Sequence, residues 1–115
     1  MSTGTNIGDA EKRSEPRHAV THQFTLIHES LGEITCNTGD LSLNGAFVAG
    51  DFSRVSIGST ISVSFILPSK RPGAKSAMRY RFNAIVVRVT VDGAGLSFAG
   101  LDADTDAAIY DLMHR

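Results

Sequence analysis

Short segments in which apolar and polar residues alternate are the feature of this sequence that most restricts its fold. In residues 60–67, every second position carries a large apolar side chain, and Pro68 then ends the pattern. A period of two residues is that of a β-strand with one buried face. The same kind of pattern, bounded by turn residues, predicts five further strands, at residues 18–29, 33–38, 46–49, 80–91 and 94–99.

The period changes after the last predicted strand. Apolar or small residues then recur at helical spacing, at Leu101, Thr105, Ala108, Ile109, Leu112 and Met113. This pattern predicts an amphipathic C-terminal helix at about residues 102–114, with aspartates at its start as caps. Because residues 80–91 carry apolar side chains on both faces, we expect that strand to be buried on both sides. The predicted fold class is all-β, a small six-stranded antiparallel barrel with a C-terminal α-helix.

Length and composition exclude several classes of protein. A chain of 115 residues with a net charge of −1 suits one domain and has no general attraction to nucleic acid or anionic membranes. The single cysteine, Cys36, is expected to be a buried, unreactive thiol in a reducing compartment. Apolar runs are too short for membrane insertion. Residues 1–12 are predicted to form a flexible N-terminal arm without a secretory signal, which favours a cytoplasmic location.

The segment Asp40-Leu41-Ser42-Leu43-Asn44-Gly45 concentrates polar groups between two predicted strands. Asp40 and Ser42 are two residues apart, so in an extended chain both point to the same face. Gly45, preceded by Asn44, allows a positive φ angle or close approach of the backbone to a flat ligand. A hairpin turn that satisfies its own backbone groups and a ligand site remain equal alternatives at this point.

Two groups of basic residues are candidates for anion binding. Arg13 and Arg17 flank Pro16, which favours an extended chain that holds the two arginines up to about 13 Å apart. That span suits a ligand with two acceptor centres, but a solvated basic arm is the alternative. Residues 70–81 hold five of the 11 basic residues and predict either an anion-binding surface or a soluble hairpin tip. His18, His22 and His28 lack the partners of a tetrahedral metal site, so no metal is expected.

Taken together, Arg13-x-x-x-Arg17 and Asp40-x-Ser42-x-x-Gly45, with a predicted strand between them, resemble the two-part signature of the PilZ domain family. The resemblance covers residues 13–115, nearly the whole chain. It departs from the family pattern at Asn44, where many members carry a second glycine. It implies a six-stranded barrel that binds the bacterial second messenger cyclic di-GMP on its outer surface, with no further cofactor and no catalytic activity.

The resemblance also implies roles for the motif residues. Arg13 and Arg17 are expected to clamp phosphate and guanine, because arginine pairs bidentately with both. Asp40 is expected to accept hydrogen bonds from guanine N1–H and N2–H₂. Contacts from Ser42 to the base or phosphate edge and close backbone approach at Gly45 complete the main set. Lys12 and Asn44 are additional candidates, and the position of Lys12 is associated in the family with binding one ligand or a stacked pair.

The mechanism expected from this resemblance is an order–disorder switch, in which ligand fixes the N-terminal arm and alters the surface offered to an unidentified downstream protein. A monomer is expected, with a ligand-linked dimer as the alternative. One competing hypothesis is a PilZ-like adaptor that uses protein contacts without nucleotide. A barrel that binds single-stranded nucleic acid is disfavoured because the phenylalanines alternate inward, and an enzyme is disfavoured because no nucleophile–base pair stands out.

Overall fold

The alternating segments form the strands of one closed antiparallel barrel. The structure, a computed structural model, describes residues 18–68 and 77–114. Its strands are β1 (Gln23–His28), β2 (Gly32–Leu41), β3 (Gly45–Ala49), β4 (Thr60–Pro68), β5 (Ala77–Val89) and β6 (Gly93–Ala99), followed by helix α1 (Ala103–Met113). The order around the barrel is β1-β2-β3-β6-β5-β4. The predicted fold class is therefore confirmed, with six strands and one C-terminal helix.

The inward faces of the strands build a single core. Alternate residues of each strand are buried, as the period of two requires. The largest fully buried side chains are those of Phe24, Phe52, Leu26, Leu41, Ile61, Ile109, Val48, Val63 and Val86. Phe24, Phe65 and Phe82 are all buried, and Phe98 packs against this core from a partly buried position. The expectation that these phenylalanines point inward is therefore confirmed.

Helix α1 closes the end of the barrel at which β1 and β5 begin. Asp102 is its N-cap, and one Asp102 side-chain oxygen accepts a hydrogen bond of 2.7 Å from the backbone N–H of Thr105. The buried face of the helix, which includes Ala108, Ile109 and Leu112, joins the barrel core. The helix therefore adds an apolar stripe where the open end of a barrel would otherwise expose core side chains.

Two β-bulges interrupt the regular pairing and change which side chains face outward. One lies in β2 between Thr38 and Asp40, and the other lies in β5 between Val86 and Arg88. Each bulge inserts one extra residue, so the side chains after it switch faces relative to strict alternation. Asp40 and Arg88 follow the two extra residues directly, and both therefore lie on the outside of the barrel.

The second bulge overturns one expectation from the sequence. The apolar residues on the second face of the predicted strand 80–91 were expected to be buried, but Val87 is 53% exposed and Val91 is 94% exposed. Val87 is the extra residue of the bulge, and Val91 lies beyond the end of β5 in the turn before β6.

The strand boundaries also differ from those predicted. β1 begins at Gln23 rather than at residue 18, and Pro68 is the last residue of β4.

Candidate functional site

The turn between β2 and β3 is organised by Ser42. The Ser42 hydroxyl accepts hydrogen bonds from the backbone N–H groups of Asn44 and Gly45, at 3.3 and 3.2 Å, and donates one to the Gly45 carbonyl, at 3.2 Å. Its own backbone N–H also donates to the Gly45 carbonyl, at 2.8 Å. Ser42 is only 3% exposed. Its hydroxyl therefore holds the shape of the turn, whereas Asn44 is exposed at its tip.

Gly45 is required by the packing of two strands. A Cβ atom at this position would lie 2.3 Å from the Leu96 carbonyl oxygen on the neighbouring strand β6. Neither Gly45 nor Asn44 has a positive φ angle. The conformational reason given for these two residues from sequence is therefore wrong, and close approach of β3 to β6 explains the glycine instead.

Asp40 lies in a row of outward-facing residues that crosses four strands. The strand register pairs Asp40 on β2 with Phe47 on β3, Phe47 with Gly95 on β6, and Gly95 with Arg88 on β5. The inward neighbours of Phe47 on β3 are buried, whereas Phe47 itself is half-buried. We call Asp40, Phe47, Gly95 and Arg88 the cross-strand row. It presents a carboxylate, an aromatic ring and a guanidinium on one side of the barrel.

Contacts inside the cross-strand row hold Arg88 flat against the sheet. The guanidinium carbon of Arg88 lies 5.7 Å from the centre of the Phe47 ring, a cation–π distance. A Cβ atom at Gly95 would meet Arg88 side-chain atoms at 3.5–3.8 Å, so the arginine lies over the open face of this glycine. A Cβ atom at Gly93 would meet the Phe47 ring at 2.9 Å. The Phe47 and Arg88 side chains therefore pack over backbone that carries no side chain at Gly93 and Gly95.

The segment that precedes β1 is fastened beside the end of β2. His18 and Leu41 exchange two backbone hydrogen bonds of 2.9 Å each. Thr38 accepts from the backbone N–H of His22 at 3.0 Å, and its hydroxyl donates to the Val20 carbonyl. These bonds bring His18, the residue that follows the predicted arginine motif, to the residue next to Asp40.

The structure brings together only part of the predicted site. Asp40, Ser42, Asn44 and Gly45 lie in or beside one turn. Lys12, Arg13 and Arg17 lie outside the described residues, as does the predicted arm at residues 1–12.

Sequence reasoning missed Phe47 and Arg88 as site candidates. Regular alternation from Phe82 through Val86 would place Arg88 in the core, and only the bulge moves it outward. A buried arginine without a partner is rare, so an arginine at an apparent core position was the available signal.

The other basic residues of β5 lie elsewhere on the barrel. Arg79 and Arg81 pair with Ile66 and Ser64 of β4, and both arginines are exposed. Arg81 precedes Arg88 by seven residues, which corresponds to roughly 23 Å along a strand. They therefore do not join the cross-strand row, and the rest of the basic segment lies outside the described residues.

Cys36 is partly buried on β2, and burial raises the pKa of its thiol to about 11. Desolvation disfavours the charged thiolate, so the cysteine is a poor nucleophile in the folded protein. The expectation of an unreactive thiol therefore has a physical basis in the structure.

The barrel, its closing helix and the cross-strand row describe a small binding domain. The PilZ domain model matches residues 11–115 of the sequence, so the chain belongs to the PilZ domain family. Domains of this family act as receptors or adaptors and are generally receptors for cyclic di-GMP. A comparison with curated proteins gives no match.

Solved structures of two PilZ proteins share the fold. The PilZ domain of CeSA from a cellulose-synthesizing bacterium is 16% identical with a TM-score of 0.64, and the match covers 86% of this chain and 95% of that one. The Bacillus subtilis inhibitor of motility, MotI/DgrA, is 16% identical with a TM-score of 0.69. That match covers 90% of this chain but 50% of MotI/DgrA. In residues 18–68 and 77–114, no helix is long and apolar enough to cross a membrane.

Proposed function

We propose that this protein is a cyclic di-GMP receptor that binds its ligand on the outer barrel surface beside Asp40 and signals to a downstream protein. The observation that carries the proposal is the pair of backbone hydrogen bonds between His18 and Leu41. Arg17 directly precedes His18 in the sequence, and Asp40 directly precedes Leu41. Because each of these two residues adjoins a signature residue, the bonds support a common site for the two halves of the family signature.

The chemistry of these groups fits a guanine nucleotide with two phosphates. A carboxylate at Asp40 accepts from guanine N1–H and N2–H₂, whereas adenine offers an acceptor at N1, so this contact selects guanine. Arg13 and Arg17 supply bidentate donors for phosphate oxygens or for guanine O6 and N7. Lys12 adds a further positive charge beside this pair. A chain with a net charge of −1 depends on such local placement for anion binding.

Ser42 and Gly45 act in this proposal through the shape of the turn. The Ser42 hydroxyl is already engaged within the turn, and Gly45 packs against Leu96. Both residues therefore position Asp40 at the end of β2. Asn44 is exposed at the turn tip, where its side chain is available to a ligand.

A route from ligand to partner runs through the ring of His18. This ring packs against that of His114 at the end of α1, with a centroid distance of 5.2 Å. The His114 ring stacks in turn on Tyr110, at 4.2 Å. Closure of the arginine arm over ligand would act on His18 and hence on the exposed end of α1. Tyr110, 55% exposed, lies on the surface that a partner would read.

Isothermal titration calorimetry with cyclic di-GMP tests the proposal. We expect saturable binding by the wild-type protein and a loss of affinity of about 10- to 100-fold in Arg17→Ala and in Asp40→Ala, from one lost bidentate or charge-assisted contact. Cyclic di-AMP should bind far more weakly, because the Asp40 contact selects guanine. Circular dichroism spectra of both variants should match that of the wild type.

Matched controls are available on the same barrel. Arg81→Ala removes a positive charge from the far part of β5, and Asp92→Ala removes an exposed carboxylate from the β5–β6 turn. Both variants should bind cyclic di-GMP like the wild type. Absence of binding by the wild-type protein would favour the nucleotide-independent adaptor, and normal binding by Arg17→Ala or Asp40→Ala would refute the assigned roles.

A further inference from the structure

We infer that Arg88 is a third ligand-binding arginine, which reads the O6 and N7 edge of the guanine whose N1–H and N2–H₂ edge faces Asp40. This inference rests on the proposed function and adds a specificity determinant outside the two sequence motifs. It is motivated by the cross-strand row, in which Asp40 and Arg88 stand at opposite ends of one line across the sheet.

Both ends of the row are placed by the same structural device. A bulge precedes Asp40 on β2, and another precedes Arg88 on β5. Bulges re-aim single side chains and are frequent beside functional sites. Each bulge turns outward a charged residue that regular alternation would bury, and the two residues arrive on the same row.

The span of the row suits one flat base. Three inter-strand spacings separate the two ends, which corresponds to about 14 Å between the Cα atoms of Asp40 and Arg88. Arg88 does not extend away from the row, because its guanidinium lies above Phe47, the neighbour of Asp40. The guanidinium is therefore folded back toward Asp40, so that both charged groups lie beside the Phe47 side chain, where each can reach a different edge of one base.

Arg88 is held in place before any ligand arrives. The cation–π contact with Phe47 and the open face of Gly95 fix a side chain that would otherwise sample many rotamers. A pre-organised guanidinium loses less conformational entropy when it forms a bidentate pair. The Arg88 side chain is therefore pre-organised for a bidentate contact.

The two charged ends select guanine on two different edges. Guanine offers donors at N1 and N2 toward a carboxylate and acceptors at O6 and N7 toward a guanidinium. Adenine presents an amino group where guanine has O6, so Arg88 would face a donor. Asp40 and Arg88 together therefore reject adenine twice.

The test compares cyclic di-GMP with its 7-deazaguanine analogue, which lacks the N7 acceptor. For the wild-type protein, we expect the analogue to bind about 10-fold more weakly, because one of two bonds to Arg88 is lost. Arg88→Ala should bind cyclic di-GMP about 10- to 100-fold more weakly than the wild type. The penalty for the analogue should be smaller in this variant than in the wild type, since one of the groups that sense N7 is absent.

Two further variants separate ligand contact from surface structure. Arg88→Lys keeps the charge but not the planar fork, so its affinity should fall and its discrimination against the analogue should shrink. Arg81→Ala, a charge-matched change on the same strand, should retain both affinity and discrimination. If Arg88→Ala fails to fold, the affinities of Arg88→Lys for the two ligands, compared with those of the wild type, still decide the question.

Two outcomes would overturn this inference without affecting the proposed function. One is an unchanged affinity of Arg88→Ala for cyclic di-GMP. The other is an equal ratio of affinities for cyclic di-GMP and the analogue in Arg88→Ala and in the wild type. In either case, loss of binding in Arg17→Ala would show that the proposed function stands without Arg88. A wild-type protein that binds neither ligand would overturn the proposed function, and this inference with it.

Discussion

Substitution of Gly45 by alanine should destabilise the barrel whether or not a ligand is present. The added Cβ atom would lie 2.3 Å from the Leu96 carbonyl oxygen, well inside any normal contact distance. Because that oxygen belongs to the backbone of β6, two paired strands must separate to accommodate the methyl group. Overpacking of this kind costs about 1–3 kcal/mol, and the reduced freedom of the unfolded chain returns about 0.4–1 kcal/mol. The expected net loss in free energy of unfolding is therefore about 1–2 kcal/mol.

Gly95→Ala is the matched comparison, because Gly95 also lies within a strand and has no positive φ angle. The three atoms nearest to its Cβ atom would be Arg88 side-chain atoms, at 3.5–3.8 Å, which is ordinary van der Waals contact. Urea unfolding followed by circular dichroism should show a midpoint about 1 M lower for Gly45→Ala, given slopes of about 1–3 kcal/mol/M. The Gly95→Ala midpoint should stay close to that of the wild type. Equal midpoints for Gly45→Ala and wild type would refute the packing argument, and equal losses in both variants would show a general intolerance of alanine in these strands.

Two further predictions concern titratable groups. Because burial raises the pKa of Cys36 to about 11, its alkylation by iodoacetamide at pH 8 should be about 100-fold slower in the folded protein than in urea; equal rates would contradict this. The hydrogen bond from the backbone N–H of Thr105 lowers the pKa of Asp102, so ionised Asp102 stabilises the fold above its unfolded-state pKa and this contribution is lost as pH falls through the folded-state pKa. Urea midpoints of Asp102→Ala should therefore lie below those of the wild type at pH 7 and approach them below about pH 4. Asp104→Ala, which removes a carboxylate from the first turn but keeps the N-cap, is the control and should lose less stability at pH 7.

Much of the fold could be predicted from local patterns, because buried side chains recur every second residue in the strands and every three to four residues in the helix. Residues 60–67 and the helix pattern near residues 102–114 agree closely with β4 and α1. The prediction was wrong at residues 18–22, which lie outside the strands. There the sequence alternates like a strand, but only His18 forms a bridge, to Leu41. Alternation reports a buried face and does not report whether a neighbouring strand is available.

The candidate site was predictable where it depends on residue type and less so where it depends on packing. A carboxylate and a hydroxyl between two predicted strands drew attention to Asp40 and Ser42, and the arginine motif that precedes them favoured a ligand site over a simple turn. The two side chains were expected to share one face. In the structure, Ser42 is buried in the turn, whereas Asp40 is half-buried on the strand. The requirement for Gly45 arises from Leu96, about fifty residues later, and no local pattern contains that contact.

The bulge at Gly39 shows why one inserted residue decides whether this face can act as a site. Ile34 and Cys36 pair with buried residues of β1, and Thr38 is itself 2% exposed, so alternation would turn Asp40 inward. A carboxylate there would be desolvated in an apolar core, at a cost of several kcal/mol unless it were protonated or paired. Leu41 would then face solvent. The extra residue reverses both placements, because Leu41 becomes fully buried opposite Ala46 and Asp40 comes to lie opposite Phe47 on the outer face. Core stability and an outward carboxylate thus require the same register. Without Gly39, β2 could bury Leu41 or turn Asp40 outward only by shifting its pairing on one side of the deletion.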